Sequence, residues 1–259
     1  MIQVMKEFPS VDILGVKVNA ISMKQSLQAI EGWINSRQAH YVCLAPAHSI
    51  MECYDHPELR TIYNRSGLTT PDGMPIVWLC RWSGHPEVER VYGPDLLKAA
   101  CKYGDKLGWR HYFYGGTSEV IFKLISRLQE NVPGLQVAGT ASPPFRNLTE
   151  EEDKQVIEGI RTAHPDLVWV GIGSPRQERW MVEHLNRLDV PVLIGVGAAF
   201  DFLSGNKPQA PRWVQRSGLE WLFRLISEPR RLWRRYLLNY PRFIALMLRQ
   251  YVLGLKMPD

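Results

Sequence analysis

Between Arg110 and Val196, short apolar runs alternate with amphipathic stretches in a regular way. The runs are Arg110–Tyr114, Leu135–Gly139, Leu167–Ile172 and Val190–Val196; the stretches between them are Ser118–Glu130, Thr149–Ala163 and Pro175–Leu188. Apolar runs of strand length, each followed by a helical pattern, are accommodated by a parallel sheet with helices on both faces. The fold class is therefore α/β and doubly wound. Thr149 and Glu152 have the spacing of a capping box at the start of their helix.

The same reading extends towards the N-terminus. A strand is predicted near Val11–Val18, a helix near Ser22–Ser36, a buried strand at Tyr41–Leu44 and a helix over His48–Asn64. A Pro-Asp-Gly turn follows, then a helix over Met74–Trp82, a loop over Ser83–Gly93 and a helix over Asp95–Tyr103. At Leu203–Pro211 the pattern breaks into Gly, Asn and Pro, and only helical periodicity lies beyond. The chain thus divides into a core, residues 1–205, and a helical C-terminal appendage, residues 206–259.

Composition narrows the class further. With 45% hydrophobic and 22% charged residues the chain is globular. Its four cysteines form no C-x-x-C pair, so neither a zinc site nor a disulfide framework is indicated. No run of about 18 apolar residues occurs, and the first residues lack a leader's apolar core. The expectation is a cytoplasmic protein with reduced thiols and no spanning helix. The net charge of +5 is concentrated: from Glu220 onward eight bases face three acids. Arg235, Arg242, Arg249 and Lys256 recur every seven residues, which on helical segments makes a stripe. The tail is also rich in aromatic and aliphatic residues. It is read as contacting an anionic membrane surface rather than nucleic acid, with a helical hairpin packed on the core as the plainer alternative.

Ligands of a doubly wound sheet sit at the carboxyl ends of its strands, where helix N-termini offer free N–H groups to phosphate. Three turns fit: Gly115, Gly116 and Thr117; Gly171, Gly173, Ser174, Pro175 and Arg176; and Gly195 through Asp201, including Gly197. None is followed by Gly-Lys-Ser/Thr, and none completes G-x-G-x-x-G, since Phe200 stands at the last glycine position. A nucleotide held through its diphosphate fits better than a nicotinamide cofactor, and no cofactor is expected. The turn Thr70–Pro75 presents Asp72, flanked by Gly73, as either a catalytic base or a helix N-cap. Ser174 and Gln177 have capping-box spacing, and Gln177 equally suits a ligand site. Asp201 is read as a helix cap, with contact to a ribose or sugar hydroxyl as the alternative. His48 follows a strand end and is either a site residue or structural. The chain contains no Asp-x-Asp pair of hard oxygen ligands, so no metal is expected.

Thr70–Pro75, Gly171–Trp180, Gly195–Gly205 and Gly218–Arg231, taken in order, resemble the WecG/TagA/CpsF glycosyltransferases. The resemblance implies a Rossmann-like core and an appendage that completes the active site and meets the membrane. It implies an inverting, metal-independent transfer of sugar from a UDP-sugar to a polyprenyl-diphosphate-linked saccharide, in cell-surface polysaccharide synthesis at the inner face of the plasma membrane. Asp72 falls on the family's catalytic aspartate and Gln177 on its active-site glutamine. Arg224, Arg231 and Arg234 fall on its appendage arginines, with Arg230 and Arg235 adjacent. Two positions depart from the family: Ala45-Pro46-Ala47 with His48 replaces Thr-x-Asn, and Gln209 replaces the arginine before Ala210-Pro211. A nucleotide-binding module without chemistry is the alternative.

Overall fold

The computed structural model of the protein describes residues 8–253. The chain opens with a hairpin, β1 (Ser10–Ile13) and β2 (Val16–Asn19), and helix α1 (Met23–Ser36). β3 (His40–Leu44), α2 (Ala47–Asp55), α3 (Pro57–Asn64) and β4 (Leu68–Thr70) follow. Two helices, α4 (Met74–Trp82) and α5 (Gly93–Asp105), then lead to a second series of strands. It runs β5 (Arg110–Gly115), α6 (Ser118–Asn131), β6 (Gln136–Ala141), α7 (Glu150–Ala163), β7 (Leu167–Gly171), α8 (Arg176–His184), β8 (Val192–Gly195) and α9 (Ala199–Ser204). The rest is helical: α10 (Arg212–Arg216), α11 (Glu220–Ser227), α12 (Pro229–Trp233), a π-helical turn (Arg234–Leu238) and α13 (Asn239–Leu253).

Six strands form one sheet in the order β4-β3-β8-β7-β5-β6, and every pairing is parallel. The α/β expectation holds. Because side chains alternate along a strand, each strand feeds two buried layers. On β5, Tyr112 and Tyr114 enter one layer and Phe113 the other; on β7, Val168 and Val170 oppose Leu167 and Trp169. Helices α2, α4 and α8 cover the first face and α1, α5 and α6 the second. The capping box on α7 is present: Thr149 Oγ1 accepts from Glu152 N–H, and Glu152 Oε2 accepts from Thr149 N–H at 2.8 Å.

Three expectations need correction. The single strand near Val11–Val18 is an antiparallel hairpin, outside the main sheet, that turns at Leu14 and Gly15. Both turn residues have positive φ, 51° and 83°, so the chain reverses where the apolar pattern alone reads straight on. The helix over His48–Asn64 is two helices, divided at His56 because Pro57 lacks the N–H that would continue the first. The basic stripe is not one solvated edge. Arg242 donates through both terminal nitrogens to the Asp55 carboxylate at 2.7 and 2.6 Å, and Arg235 lies 3.7 Å from Glu52. Both acids sit on α2, so these arginines dock the tail on the core. Phe243 and Met247, one turn apart on α13, are buried in the layer that holds α2. Arg249 is exposed, and Lys256 lies outside the described residues.

Candidate active site

The carboxyl ends of β3, β4, β5, β7 and β8 open on one cleft of about 670 Å³. His48, Asp72, Gly116, Thr117, Gly171, Gly173, Ser174, Arg176, Gln177, Gly197, Arg224 and Arg231 all line it. Gly73 lines a smaller pocket that shares Asp72, His48 and Arg224 with the cleft. Gly115 and Pro175 are not among the residues that line either pocket. At Gly115, with φ 127°, an added Cβ would meet the Gly171 backbone at 2.6 Å, so this glycine lets two strand ends touch.

Asp72 leaves β4 in the turn before α4. Gly73, not Asp72, is the N-cap of α4, and no side chain caps that helix. The cap reading of Asp72 therefore fails, and its carboxylate turns into the cleft instead. Oδ1 is shut from solvent and has no hydrogen-bond partner. Burial pushes the carboxyl up to about 7; Arg90 pulls it down, Glu220 pushes it up, and Arg224 and Asp95 add smaller opposing effects. A carboxyl poised near neutrality and left unpaired suits a general base. His48 is buried beside it, and burial, reinforced by Arg235 and Arg224, holds its imidazole well below the usual range, hence neutral.

Gln177 is not part of a capping box. Helix α8 has Pro175 at its N-cap and no side-chain cap bond. Gln177 is buried; its Oε1 accepts from Gly197 N–H and its Nε2 donates to Glu178 Oε1, both at 2.9 Å. One amide side chain thus ties the third glycine turn to the second. Its remaining N–H is the group left for a ligand. Glu178 is fully buried behind it, and Tyr63 Oη donates to the same Oε1 at 3.2 Å. Burial raises the Glu178 carboxyl, and the bonds from Gln177 and Tyr63 oppose that rise.

The appendage brings cations over the cleft. Arg224 reaches in from α11 with Nε buried and unpartnered, its guanidinium 5.4 Å from the Phe202 ring. Arg231 pairs with Glu228 at 2.6 Å, and Glu228 also holds Lys207 at 3.2 Å. Arg235 lines the cleft where Arg234 was expected. Arg234 is exposed and stacks on Trp233, with its guanidinium carbon 5.3 Å from the ring centre. Adjacent residues of a helical turn point in different directions, and here Arg235 faces the cleft while Arg234 faces solvent. Asp201 is not a cap: it lies within the first turn of α9 and contacts Lys207 at 3.2 Å.

Arg90, Tyr92, Lys207 and Glu220 were not visible as site residues in the sequence. Arg90 and Tyr92 sit in a polar loop without motif spacing, and Glu220 reads as an ordinary first-turn acid of α11. Only an arginine followed two residues later by tyrosine, inside a Gly/Pro-rich loop, gave a faint signal.

Fold and cleft together define a doubly wound α/β protein whose strand ends set a buried carboxylate against a row of cations. The chain belongs to the Glycosyl transferase WecG/TagA/CpsF family, whose sequence profile matches residues 11–256. It is similar to the N-acetylglucosaminyldiphosphoundecaprenol N-acetyl-beta-D-mannosaminyltransferase of Bacillus subtilis (strain 168), with 31% identity over 73% of this chain and 71% of the relative. The Bacillus spizizenii (strain ATCC 23059 / NRRL B-14472 / W23) protein of the same name is 29% identical over 84% of this chain and 82% of its own length. The Staphylococcus aureus (strain MW2) protein of that name is 25% identical over 86% and 87% respectively.

Proposed function

We propose that the protein is an inverting, metal-independent glycosyltransferase that moves a sugar from a UDP-sugar to a polyprenyl-diphosphate-linked saccharide in cell-surface polysaccharide synthesis. The relatives' names supply the class of acceptor. The observation that carries the chemistry is the Asp72 carboxylate, which lines the same cleft as the glycine turns and whose enclosed Oδ1 has no hydrogen-bond partner. Asp72 takes the proton of an acceptor hydroxyl. That oxygen forms a bond to the donor's anomeric carbon on the face opposite the leaving group. The bond from carbon to the diphosphate oxygen breaks, and UDP departs with its electron pair. The N-termini of α6 and α8 offer backbone amides to the diphosphate, and Arg224, Arg231 and Arg235 neutralise its charge. Gln177 holds the Gly197 turn in place and presents its free N–H to the sugar.

In this reading residues 1–205 carry the nucleotide-sugar site and residues 206–259 complete it at the membrane surface. No helix among the described residues is long and apolar enough to cross a membrane. Ile226, Leu237, Leu238, Ile244 and Leu248 are nevertheless well exposed, with Arg230, Arg234 and Arg249 exposed among them. This combination suits peripheral binding to anionic lipid at the inner face of the plasma membrane. Release of UDP in the presence of a short-chain lipid-diphosphate sugar tests the chemistry. Asp72→Asn should lower turnover by about 10²–10⁴-fold with UDP affinity unchanged, and an excess of chelator should leave wild-type turnover intact. Wild-type turnover in the Asn variant would remove Asp72 from the mechanism.

A further inference from the structure

Asp72 stands beside a cation that it does not use. Arg90 Nη2 lies 3.9 Å from Asp72 Oδ1, beyond hydrogen-bond range. That nitrogen donates instead to Glu220 Oε2 at 2.5 Å. Arg90 Nε donates to the backbone carbonyl of Asp72, and the guanidinium packs over the Tyr92 ring at 4.0 Å. The three side chains are nearly enclosed, with exposures of 16% for Arg90, 15% for Asp72 and 14% for Glu220. One guanidinium therefore bridges the base's own turn and a carboxylate on α11, 130 residues away in sequence.

We propose that Glu220 is a positioning residue for the base: it holds Arg90 off the Asp72 carboxylate and so keeps that carboxylate unpaired and able to receive a proton. The proposal rests on Asp72 being the general base. An arginine that pairs directly with a carboxylate occupies its lone pairs and lowers its pKa by about 1–3 units. Arg90 needs to move its Nη2 by only about 1 Å to make that pair. Glu220 gives the nitrogen a better partner. Because Glu220 arrives on the appendage, docking of α11 also sets the basicity of Asp72.

The groups facing Asp72 come from several elements: Arg90 and Tyr92 from the loop before α5, Asp95 from α5, His48 from α2, Glu220 and Arg224 from α11, and Tyr240 from α13. His48 is neutral and does not compete as a cation. Neutralising Glu220 frees Arg90 and removes a negative neighbour. Both changes make Asp72 more acidic.

The test is the pH profile of single-turnover rate in the full chain. Glu220→Gln keeps the shape of the side chain. Its acid limb should move down by about one pH unit or more, with the plateau rate lower by about tenfold and UDP affinity unchanged. Glu220→Asp should move the limb back towards wild type. Combining Glu220→Gln with Arg90→Gln removes the cation as well, and the limb should rise above that of the single variant. A limb that stays in place in Glu220→Gln, whatever the loss of rate, overturns the proposal and assigns Glu220 a docking role alone. Asp72→Asn run in parallel separates the two levels. If it retains turnover, the catalytic reading itself fails; if it loses turnover while the Glu220→Gln limb is unmoved, only the role of Glu220 fails.

Discussion

Replacing Asp72 with asparagine is expected to stabilise the folded protein while it removes turnover. In the folded state burial holds the Asp72 carboxyl at about 7, whereas an unfolded chain titrates aspartate near 3.9. The folded pKa is the higher one, so folding takes up a proton between those two values. The contribution is fully present below about pH 4 and is lost as pH rises through about 7. A gap of about three pH units, at about 1.4 kcal/mol each, sets a ceiling of about 4 kcal/mol of destabilisation at pH 8. Because 15% of the side chain still meets solvent, a smaller gain on removing the charge, roughly 1–3 kcal/mol, is the expected outcome. Asparagine is nearly isosteric and does not titrate. Urea denaturation of both proteins at pH 8 and pH 5 measures the effect. The variant should be the more stable at pH 8, and its advantage should shrink at pH 5, where the wild-type carboxyl is protonated in the fold. A variant less stable than wild type at pH 8, or an advantage equal at both pH values, would refute the electrostatic account of the site.

Two further predictions concern the appendage. Arg235→Ala should weaken UDP binding by about tenfold, roughly the value of one charge-assisted contact, while Arg234→Ala stays within about twofold; titration calorimetry decides, and the reverse order would mean that the inward face of the π-helical turn is misassigned. Removing the residues after Ser217 should abolish flotation with anionic vesicles and most of the turnover, whereas a truncated protein that still floats would place the membrane contact elsewhere.

Much of this architecture was legible before folding. The alternation from Arg110 to Val196 fixed a parallel sheet because both of its periodicities are local. The Asp72 turn and the three glycine turns were legible for the same reason: Pro and Gly constrain the backbone where they stand. Gln177 was open to two readings, a capping-box partner of Ser174 or a site residue, and the cap reading fails. A capping box needs only residues three apart, but the side chain instead spans 20 residues to Gly197. The hairpin was missed because positive φ at a leucine is rare and gives no periodic signal.

Sequence alone determined that strands and helices alternate, that glycine-rich turns follow several of the strands, and that one Pro-Asp-Gly turn presents a carboxylate among them. Each of those properties belongs to a stretch of a few residues, governed by steric and hydrogen-bonding preferences that act at short range. Tertiary structure decided which charges meet. It put Arg235 rather than Arg234 over the cleft, placed Arg242 against Asp55 on the core, and set Arg90 between Asp72 and Glu220. Such pairings depend on the rotation and docking of elements far apart in the chain, and the strength of each charge depends on how much water the finished fold excludes.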